Sequence, residues 1–247
     1  MKRSPLMTAW LGFRSVLLIV GFALITGIMG LFAPLLALVP YHWRVKYIQL
    51  WARLSLLWAH LSCGIKRNIR GTENLDLSKA AIILPNHQST WETMYLLMAM
   101  PPMSFVIKKE LLSIPFFGWG MAQSRPIAID RSAGNTAVEQ INVNGKARLD
   151  EGNWVCIFPE GTRVPPGEKK RFKSGGGLLA AHSGYDVYPI AHNAGECWPK
   201  KGLIKTPGTI TLSIGPKISV AGKDATQIIQ EVEAWITQER AALPPVR

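Results

Sequence analysis

The order of apolar and polar positions divides the chain into two parts with different periodicities. Residues 15–41 contain no charged side chain. As a helix this stretch would be about 40 Å long, which exceeds the ~30 Å hydrocarbon core of a bilayer. Three glycines and Pro34 interrupt it, so a straight spanning helix is one solution among others.

The next segment, residues 47–65, has the periodicity of an amphipathic helix. Apolar side chains recur there at steps of three and four, at Ile48, Trp51, Leu54, Leu57, Trp58 and Leu61. An aromatic and basic cluster precedes it at residues 41–44, as is typical of a lipid–water boundary. Residues 1–65 are therefore predicted to be membrane-anchoring helices.

Two membrane arrangements fit this anchor. Either one spanning helix is followed by an interfacial helix, or both helices form a hairpin lodged in a single leaflet. Basic residues flank the apolar run on both sides, so the positive-inside rule does not choose between them. In a third arrangement, residues 47–65 pack on the following domain as an ordinary helix.

From residue 66 to 247, short apolar runs alternate with helical segments. Such alternation predicts an α/β fold with a mostly parallel mixed sheet flanked by helices. The predicted strands are residues 81–84, 104–107, 126–129, 154–158, 187–191 and 209–214. The predicted helices are residues 90–100, 136–151, 176–182 and 225–242.

The positive charge of the chain is concentrated in its apolar third. The net charge is +12, and residues 1–80 hold ten Lys/Arg against two acidic residues, so they contribute 10 − 2 = +8. A basic and apolar segment favours an anionic membrane surface as its partner. No RNA- or DNA-binding motif is present, so nucleic acid is not an expected partner.

The cysteines indicate no metal site and no disulfide framework. Cys63, Cys156 and Cys197 are odd in number and lack metal-ligand spacing. We predict that they are reduced and inert in a cytosolic compartment. No cofactor motif occurs, so neither a metal nor a cofactor is expected.

The stretch from Asn86 to Glu92 carries the chemistry with the clearest physical basis. It follows an apolar run, and His87 precedes Glu92 by five residues. Positions five apart on one helix point about 140° away from each other, so His87 must lie in the turn before the helix if the two side chains are to meet. The alternative is that residues 89–92 form a capping box, with Ser89 as N-cap and Glu92 at the third helical position.

At this stretch the sequence resembles the glycerolipid acyltransferases, most closely the bacterial 1-acyl-sn-glycerol-3-phosphate acyltransferases. The first family block is a His-x4-Asp/Glu box, in which Glu92 replaces the commoner aspartate. The four blocks occur in the family order, at residues 87–92, 126–131, 158–163 and 187–190. Further similar segments lie at residues 108–111 and 171–175, and the likeness extends from about residue 70 to 215.

The resemblance implies roles for individual residues. His87 would be the general base and Glu92 its orienting carboxylate. Residues that bind the substrate phosphate would be Arg131, Glu160, Gly161, Thr162, Arg163, Lys108 and Lys173. Arginines suit this role because a guanidinium meets phosphate oxygens in a bidentate manner.

The resemblance also implies an activity and a location. The enzyme would transfer an acyl group from acyl carrier protein or coenzyme A to the sn-2 hydroxyl of lysophosphatidic acid, giving phosphatidic acid. It would lie on the bacterial inner membrane, with its catalytic domain facing the cytoplasm. The alternatives are another acceptor, such as glycerol 3-phosphate or a different lysolipid, or a non-catalytic lipid-binding module of the same fold.

Overall fold

The computed structural model describes residues 4–130 and 134–246. Two long helices open it, α1 (Pro5–Phe32) and α2 (Tyr41–Cys63), joined by a 3₁₀ turn at Ala33–Leu38. Pro5 occupies the first turn of α1, where a missing N–H costs nothing. Gly64 ends α2 with φ +70°, a backbone conformation that favours glycine.

The two helices lie side by side and antiparallel along most of their length. Trp58 Nε1 donates to the carbonyl of Leu17 at 3.0 Å, and the Tyr47 hydroxyl donates to the carbonyl of Met29 at 2.8 Å. Gly21 permits this approach, because a Cβ there would lie 2.0 Å from Trp58 Nε1. Residues 5–63 therefore form a helical hairpin.

One face of α2 is buried against α3 (Trp91–Ala99), the helix that follows the His87 turn. Its buried positions are Ile48, Ala52, Leu56 and Ala59. The third arrangement considered for residues 47–65, packing on the following domain, is therefore observed. The outer side of the hairpin remains apolar and exposed, with Leu24 59% and Ile28 60% exposed.

The remainder of the chain is built on a seven-stranded mixed sheet. The prediction of a mostly parallel mixed sheet is confirmed, although only six of its strands were predicted. The strands are β1 (Ile65–Arg70), β2 (Ile82–Pro85), β3 (Met103–Lys108), β4 (Ile127–Ile129), β5 (Trp154–Cys156), β6 (Val187–His192) and β7 (Gly208–Ile214). Their order is β1-β7-β6-β2-β5-β3-β4. All pairs are parallel except β6 with β7.

Helices cover both faces of this sheet. The hairpin and α3 share one apolar core with the sheet, and the helices of the opposite face share the other. The helices after α3 are α4 (Phe117–Ala122), α5 (Asn135–Asp150), α6 (Gly175–Ser183), α7 (Ala194–Cys197) and α8 (Ala225–Ala242). The predicted helices correspond to α3, α5, α6 and α8, within one residue at each end.

Four elements differ from the sequence-based prediction, because β1, α4 and α7 were not predicted and β5 is shorter than predicted. β1 was not predicted, because Lys66, Arg67 and Arg70 give it the composition of a loop, and it pairs along one side only. The short helix α4 was also not predicted. β5 ends at Cys156, two residues before the predicted end, since the chain turns there into the loop that reaches the site.

Candidate active site

The His87 turn lies at the carboxyl end of β2, near the centre of the sheet. β2 pairs in parallel with β5 on one side and β6 on the other. The loops that follow these three strands therefore meet at one edge, where open α/β sheets place their ligand sites. His87 precedes α3, and Glu92 lies in the first turn of that helix.

The structure brings the side chains of His87 and Glu92 into contact. His87 Nδ1 lies 2.8 Å from Glu92 Oε1. Because an ionised carboxylate only accepts hydrogen bonds, Nδ1 carries the proton and Nε2 is left as the basic nitrogen. The His87 side chain is 18% exposed, whereas that of Glu92 is fully buried.

The same carboxylate also caps the helix. Glu92 Oε1 accepts the backbone N–H groups of Gln88 at 2.9 Å and Ser89 at 2.8 Å. The second half of a capping box is absent, since the Ser89 hydroxyl accepts from the N–H of Trp91 at 3.2 Å. Glu92 Oε1 thus both contacts the His87 ring and caps the N-terminus of α3.

Glu92 is ionised at neutral pH. Burial alone would raise its pKa, but the imidazoles of His192 and His87 and the N–H of Ser89 outweigh burial and lower the pKa below its ordinary value. Its second oxygen, Oε2, is buried and has no hydrogen-bond partner within the described ranges. The hydrogen bonds of the carboxylate are therefore made by Oε1, to the His87 ring and to the N–H groups of Gln88 and Ser89.

The segment after β5 holds His87 from the other side. Glu160 Oε2 accepts the backbone N–H of His87 at 2.5 Å, and the carbonyl of His87 accepts the N–H of Val164 at 2.8 Å. The ring stacks on Phe158, with 3.8 Å between ring centroids. Both the main chain and the ring of His87 are therefore fixed by residues 158–164.

A second histidine, to which the sequence assigned no role, lies beneath the site. His192 is fully buried, and its Nε2 lies 2.6 Å from the carbonyl oxygen of Asn86 and 3.9 Å from Glu92 Oε1. Its Nδ1 accepts the N–H of Ala194 at 3.2 Å. Burial lowers the pKa of His192, so it is a neutral donor that holds the residue before His87. No spacing in the sequence signals this contact.

Thr162 and Arg163 lie on the same side of the site as Thr90. Arg163 Nη1 donates to the Thr90 hydroxyl at 3.0 Å, which places the guanidinium at the N-terminus of α3. Lys200 Nζ donates to Thr162 Oγ1 and to the carbonyl of Arg163, both at 3.1 Å. Because β5 ends at Cys156, Arg163 lies in the following loop, seven residues beyond the strand.

Gly161 and Lys173 form a rim beside the stacked rings. Gly161 has φ +68°, and a Cβ there would lie 3.3 Å from Lys173 Nζ. Behind them is a cavity of about 360 Å³. Its apolar lining is Val106, Ile129, Ala137, Val138, Ile141, Ile157 and Phe158. Because Phe158 also stacks on His87, this cavity adjoins the His87 ring.

Two of the predicted phosphate-binding residues are not brought to the site by an observed contact. Lys108 ends β3 as an exposed side chain, and no hydrogen bond or ion pair joins it to another residue of the described ranges. Arg131 lies outside the described residues. The structure therefore groups His87 and Glu92 with Glu160 and Arg163, and Gly161 with Lys173.

Known proteins are similar to this chain in sequence and in fold. A family model described as Acyltransferase matches residues 66–193. The 1-acyl-sn-glycerol-3-phosphate acyltransferase of Pseudomonas aeruginosa is 42% identical over 236 residues, which is 94% of this chain and 90% of that protein. The chain belongs to the acyltransferase family. It is accordingly an enzyme, and the His87 site lies inside the matched segment.

Two further relatives of this acyltransferase are more distant. The 1-acyl-sn-glycerol-3-phosphate acyltransferase of Borreliella burgdorferi is 27% identical over 184 residues, 72% of this chain and 70% of that protein. The crystal structure of the 1-acyl-sn-glycerophosphate acyltransferase PlsC from Thermotoga maritima superposes with a TM-score of 0.78. It is 22% identical and covers 94% of this chain and 97% of its own, so it shows the fold.

The acyltransferase has no described cluster of three or more His, Cys, Asp or Glu side chains that could hold a metal ion. Its cysteines are free and buried. Burial raises the pKa of Cys197 to about 12 and that of Cys156 well above its ordinary value. Neither thiol is ionised at neutral pH, so neither is suited to be a nucleophile.

Glu160 makes the stability of the acyltransferase depend on pH. Burial raises its pKa from 4.5 to about 7. Between pH 4.5 and pH 7 the carboxyl group of Glu160 is deprotonated in the unfolded chain and still protonated in the folded chain. The free energy of unfolding therefore falls as pH rises, by on the order of 3 kcal/mol in total.

Thermal unfolding in detergent at pH 5 and pH 8 measures this effect. Glu160→Gln keeps an oxygen that can accept the N–H of His87 and removes the titration. We expect the variant to lose less stability between the two pH values than the wild type. Identical losses in the two proteins would show that Glu160 does not titrate in this range.

Proposed function

We propose that this enzyme transfers a fatty acyl group from a thioester to the sn-2 hydroxyl of 1-acylglycerol 3-phosphate, which gives phosphatidic acid. The contact between His87 and an ionised, buried Glu92 carries the proposal, because it leaves Nε2 of a partly exposed imidazole as the basic nitrogen. The guanidinium of Arg163 is bound nearby in the chain, at Thr90. The relatives named for this reaction support the choice of acceptor.

In the proposed mechanism, His87 Nε2 removes the proton of the sn-2 hydroxyl. Such general-base catalysis typically accelerates a reaction ~10²–10⁴-fold. The oxygen then forms a bond to the thioester carbonyl carbon, and the carbon–sulfur bond breaks. Glu92 stabilises the imidazolium in the meantime, and the imidazolium returns the proton to the leaving thiolate.

The acyl chain of the donor is proposed to occupy the apolar cavity behind Gly161 and Lys173. That cavity adjoins Phe158, which contacts the His87 ring, so a chain placed there would bring its carbonyl carbon towards the base. The donor itself is either acyl carrier protein or acyl-coenzyme A. Both are acidic and would be attracted by the net charge of +12.

The acceptor phosphate is proposed to bind Arg163, with Arg131, Lys108, Lys173 and the Glu160–Thr162 segment as the other predicted contacts. We expect Arg163→Ala to raise the acceptor KM by roughly 10–100-fold, the loss of one charge-assisted hydrogen-bond pair. The donor KM should change little. Steady-state kinetics with each substrate varied in turn measures both constants.

Thr90 provides a graded control for Arg163. Thr90→Val removes the hydroxyl that orients the guanidinium but keeps the positive charge. It should raise the acceptor KM less than Arg163→Ala does. If Arg163→Ala raises both substrate KM values equally, the guanidinium does not act on the acceptor phosphate.

The hairpin is proposed to anchor the enzyme in one leaflet of the bacterial inner membrane, with the catalytic domain facing the cytoplasm. The α1 helix with its 3₁₀ extension (residues 5–38) is long and apolar enough to span a bilayer. It lies along α2, however, and α2 packs on the catalytic domain. This arrangement suits insertion from one side better than a crossing.

Membrane binding through the hairpin is tested by a double substitution, Leu24→Asp with Ile28→Asp. Two exposed apolar side chains become charged, so partition into vesicles should fall ~100-fold or more. Val143→Asp is the matched control, because Val143 is 60% exposed on α5, away from the hairpin. Equal effects of the two changes in a vesicle sedimentation assay would refute the anchor.

The reaction is tested by measuring thiol release from a long-chain acyl thioester with a panel of acceptors. We expect lysophosphatidic acid to give the highest kcat/KM, ahead of glycerol 3-phosphate and other lysolipids. If another acceptor gives the highest kcat/KM, the proposed acceptor is wrong, although the acyltransferase activity stands. If no acceptor gives thiol release, the alternative of a non-catalytic lipid-binding module of the same fold is favoured.

A further inference from the structure

A second cavity lies at the C-terminal half of α2, and we name it the basic cavity. It has a volume of about 460 Å³. Its walls include Arg53 and His60 from α2, Lys66 and Arg67 from β1, and the side chains of Leu57 and Trp91. None of the residues that line it is acidic. His87 and Glu92 are not among them, so it is separate from the catalytic base.

The positive charges of the basic cavity have no negative partner in the part of the chain that the structure describes. Across residues 4–130 and 134–246, no ion pair involves Arg53, Lys66 or Arg67. Like charges that converge on one cavity repel each other, and a bound anion removes that repulsion. The cavity is therefore suited to an anionic ligand.

Protection of the sheet edge does not account for this arrangement. Basic side chains on an edge strand such as β1 discourage pairing with another chain. Arg53 and His60, however, belong to α2 and face the same cavity. Basic side chains therefore come from both α2 and β1. This indicates a binding site, because protection of an edge strand would need basic residues on β1 alone.

An exposed apolar stripe passes the mouth of the basic cavity. Four leucines of α2 follow steps of four, three and four, which places them on one helix face. Their exposed fractions are 46% for Leu50, 37% for Leu54, 51% for Leu57 and 63% for Leu61. Leu57 belongs to both the stripe and the cavity wall, so the two surfaces are continuous.

The combination of a basic cavity with an adjoining apolar stripe matches the two ends of a phospholipid. A cavity of this size accommodates a headgroup rather than a bare ion. We propose that the basic cavity binds the headgroup phosphate of an anionic membrane phospholipid whose acyl chains lie along the leucine stripe. This lipid is neither acceptor nor product at the catalytic site, and it holds the enzyme on anionic bilayers.

Vesicle binding tests the proposal, with vesicles of phosphatidylcholine alone and of phosphatidylcholine mixed with phosphatidylglycerol. The full-length wild type should bind the mixed vesicles more tightly. The double variant Arg53→Gln/Arg67→Gln should lose roughly tenfold or more of this preference. The control, Lys46→Gln/Arg70→Gln, removes the same charge from α2 and β1 outside the cavity and should retain most of it.

Two results would overturn the proposal. Equal losses in both double variants would show diffuse attraction to the surface and no site. A raised KM for lysophosphatidic acid in neutral detergent micelles, specific to Arg53→Gln/Arg67→Gln, would assign the cavity to the acceptor. Unchanged micellar activity shows that the variants fold, and it tests the proposed reaction separately from the lipid site.

Discussion

Replacement of His87 by alanine is expected to lower kcat by roughly 10³-fold, within the range that general-base catalysis supplies. Nε2 is the one ring nitrogen left free, since Nδ1 is bound to Glu92. The acceptor KM should stay within about threefold, because in the proposed site the phosphate and not the hydroxyl supplies the binding energy. Thiol release under saturating substrates measures the loss.

His182→Ala is the matched control for this experiment. His182 lies on α6 as an exposed side chain, and its removal should leave turnover unchanged. Thermal unfolding should confirm that His87→Ala remains folded. Wild-type turnover in His87→Ala would end the assignment of His87 as the base, whatever the effect of the other variants.

Substitution of Glu92 by glutamine is expected to lower kcat by about 10²–10⁴-fold, comparable to the loss of the base. The amide has the same size and can still accept the N–H groups of Gln88 and Ser89. It carries no charge, however, and no longer stabilises the imidazolium. Thiol release under saturating substrates measures the loss of kcat.

Two further variants separate the orienting role of Glu92 from its capping role. Glu92→Asp should retain much of the activity, because the charge remains. Glu92→Ala should lose both activity and about 1–3 kcal/mol of stability, since it leaves buried N–H groups without an acceptor. If Glu92→Gln has the wild-type kcat, the carboxylate is a helix cap only.

Predictions from the pattern of apolar and polar residues were most accurate for elements whose signals are local in the sequence. The helix at residues 225–242 was predicted with its observed bounds. The structure shows that Asp224 forms a capping box at its start, which is a local feature of the sequence. The polar strand β1 was missed, since its pairing with β7 joins positions about 140 residues apart. Its lysine and arginines carry no strand signal of their own.

The order of the strands in the sheet likewise could not be predicted from the pattern of apolar and polar residues. An apolar run indicates a strand but not its neighbours, so the antiparallel pair of β6 and β7 could not be read from composition. The burial of one face of α2 against α3 was one of three open arrangements for the same reason. The outward face of α2 carries four exposed leucines and its buried face carries one, and hydrophobicity alone does not distinguish protein from lipid.

The sequence established one condition, that His87 and Glu92 can meet only if His87 lies in the turn before the helix, and the structure places it there. The setting of that pair was decided by the tertiary structure. Glu160, which holds the main chain of His87, lies 73 residues away, and His192, which holds Asn86, lies 106 residues away. Such contacts depend on how β2, β5 and β6 align in the sheet, and no periodicity within one segment specifies that alignment.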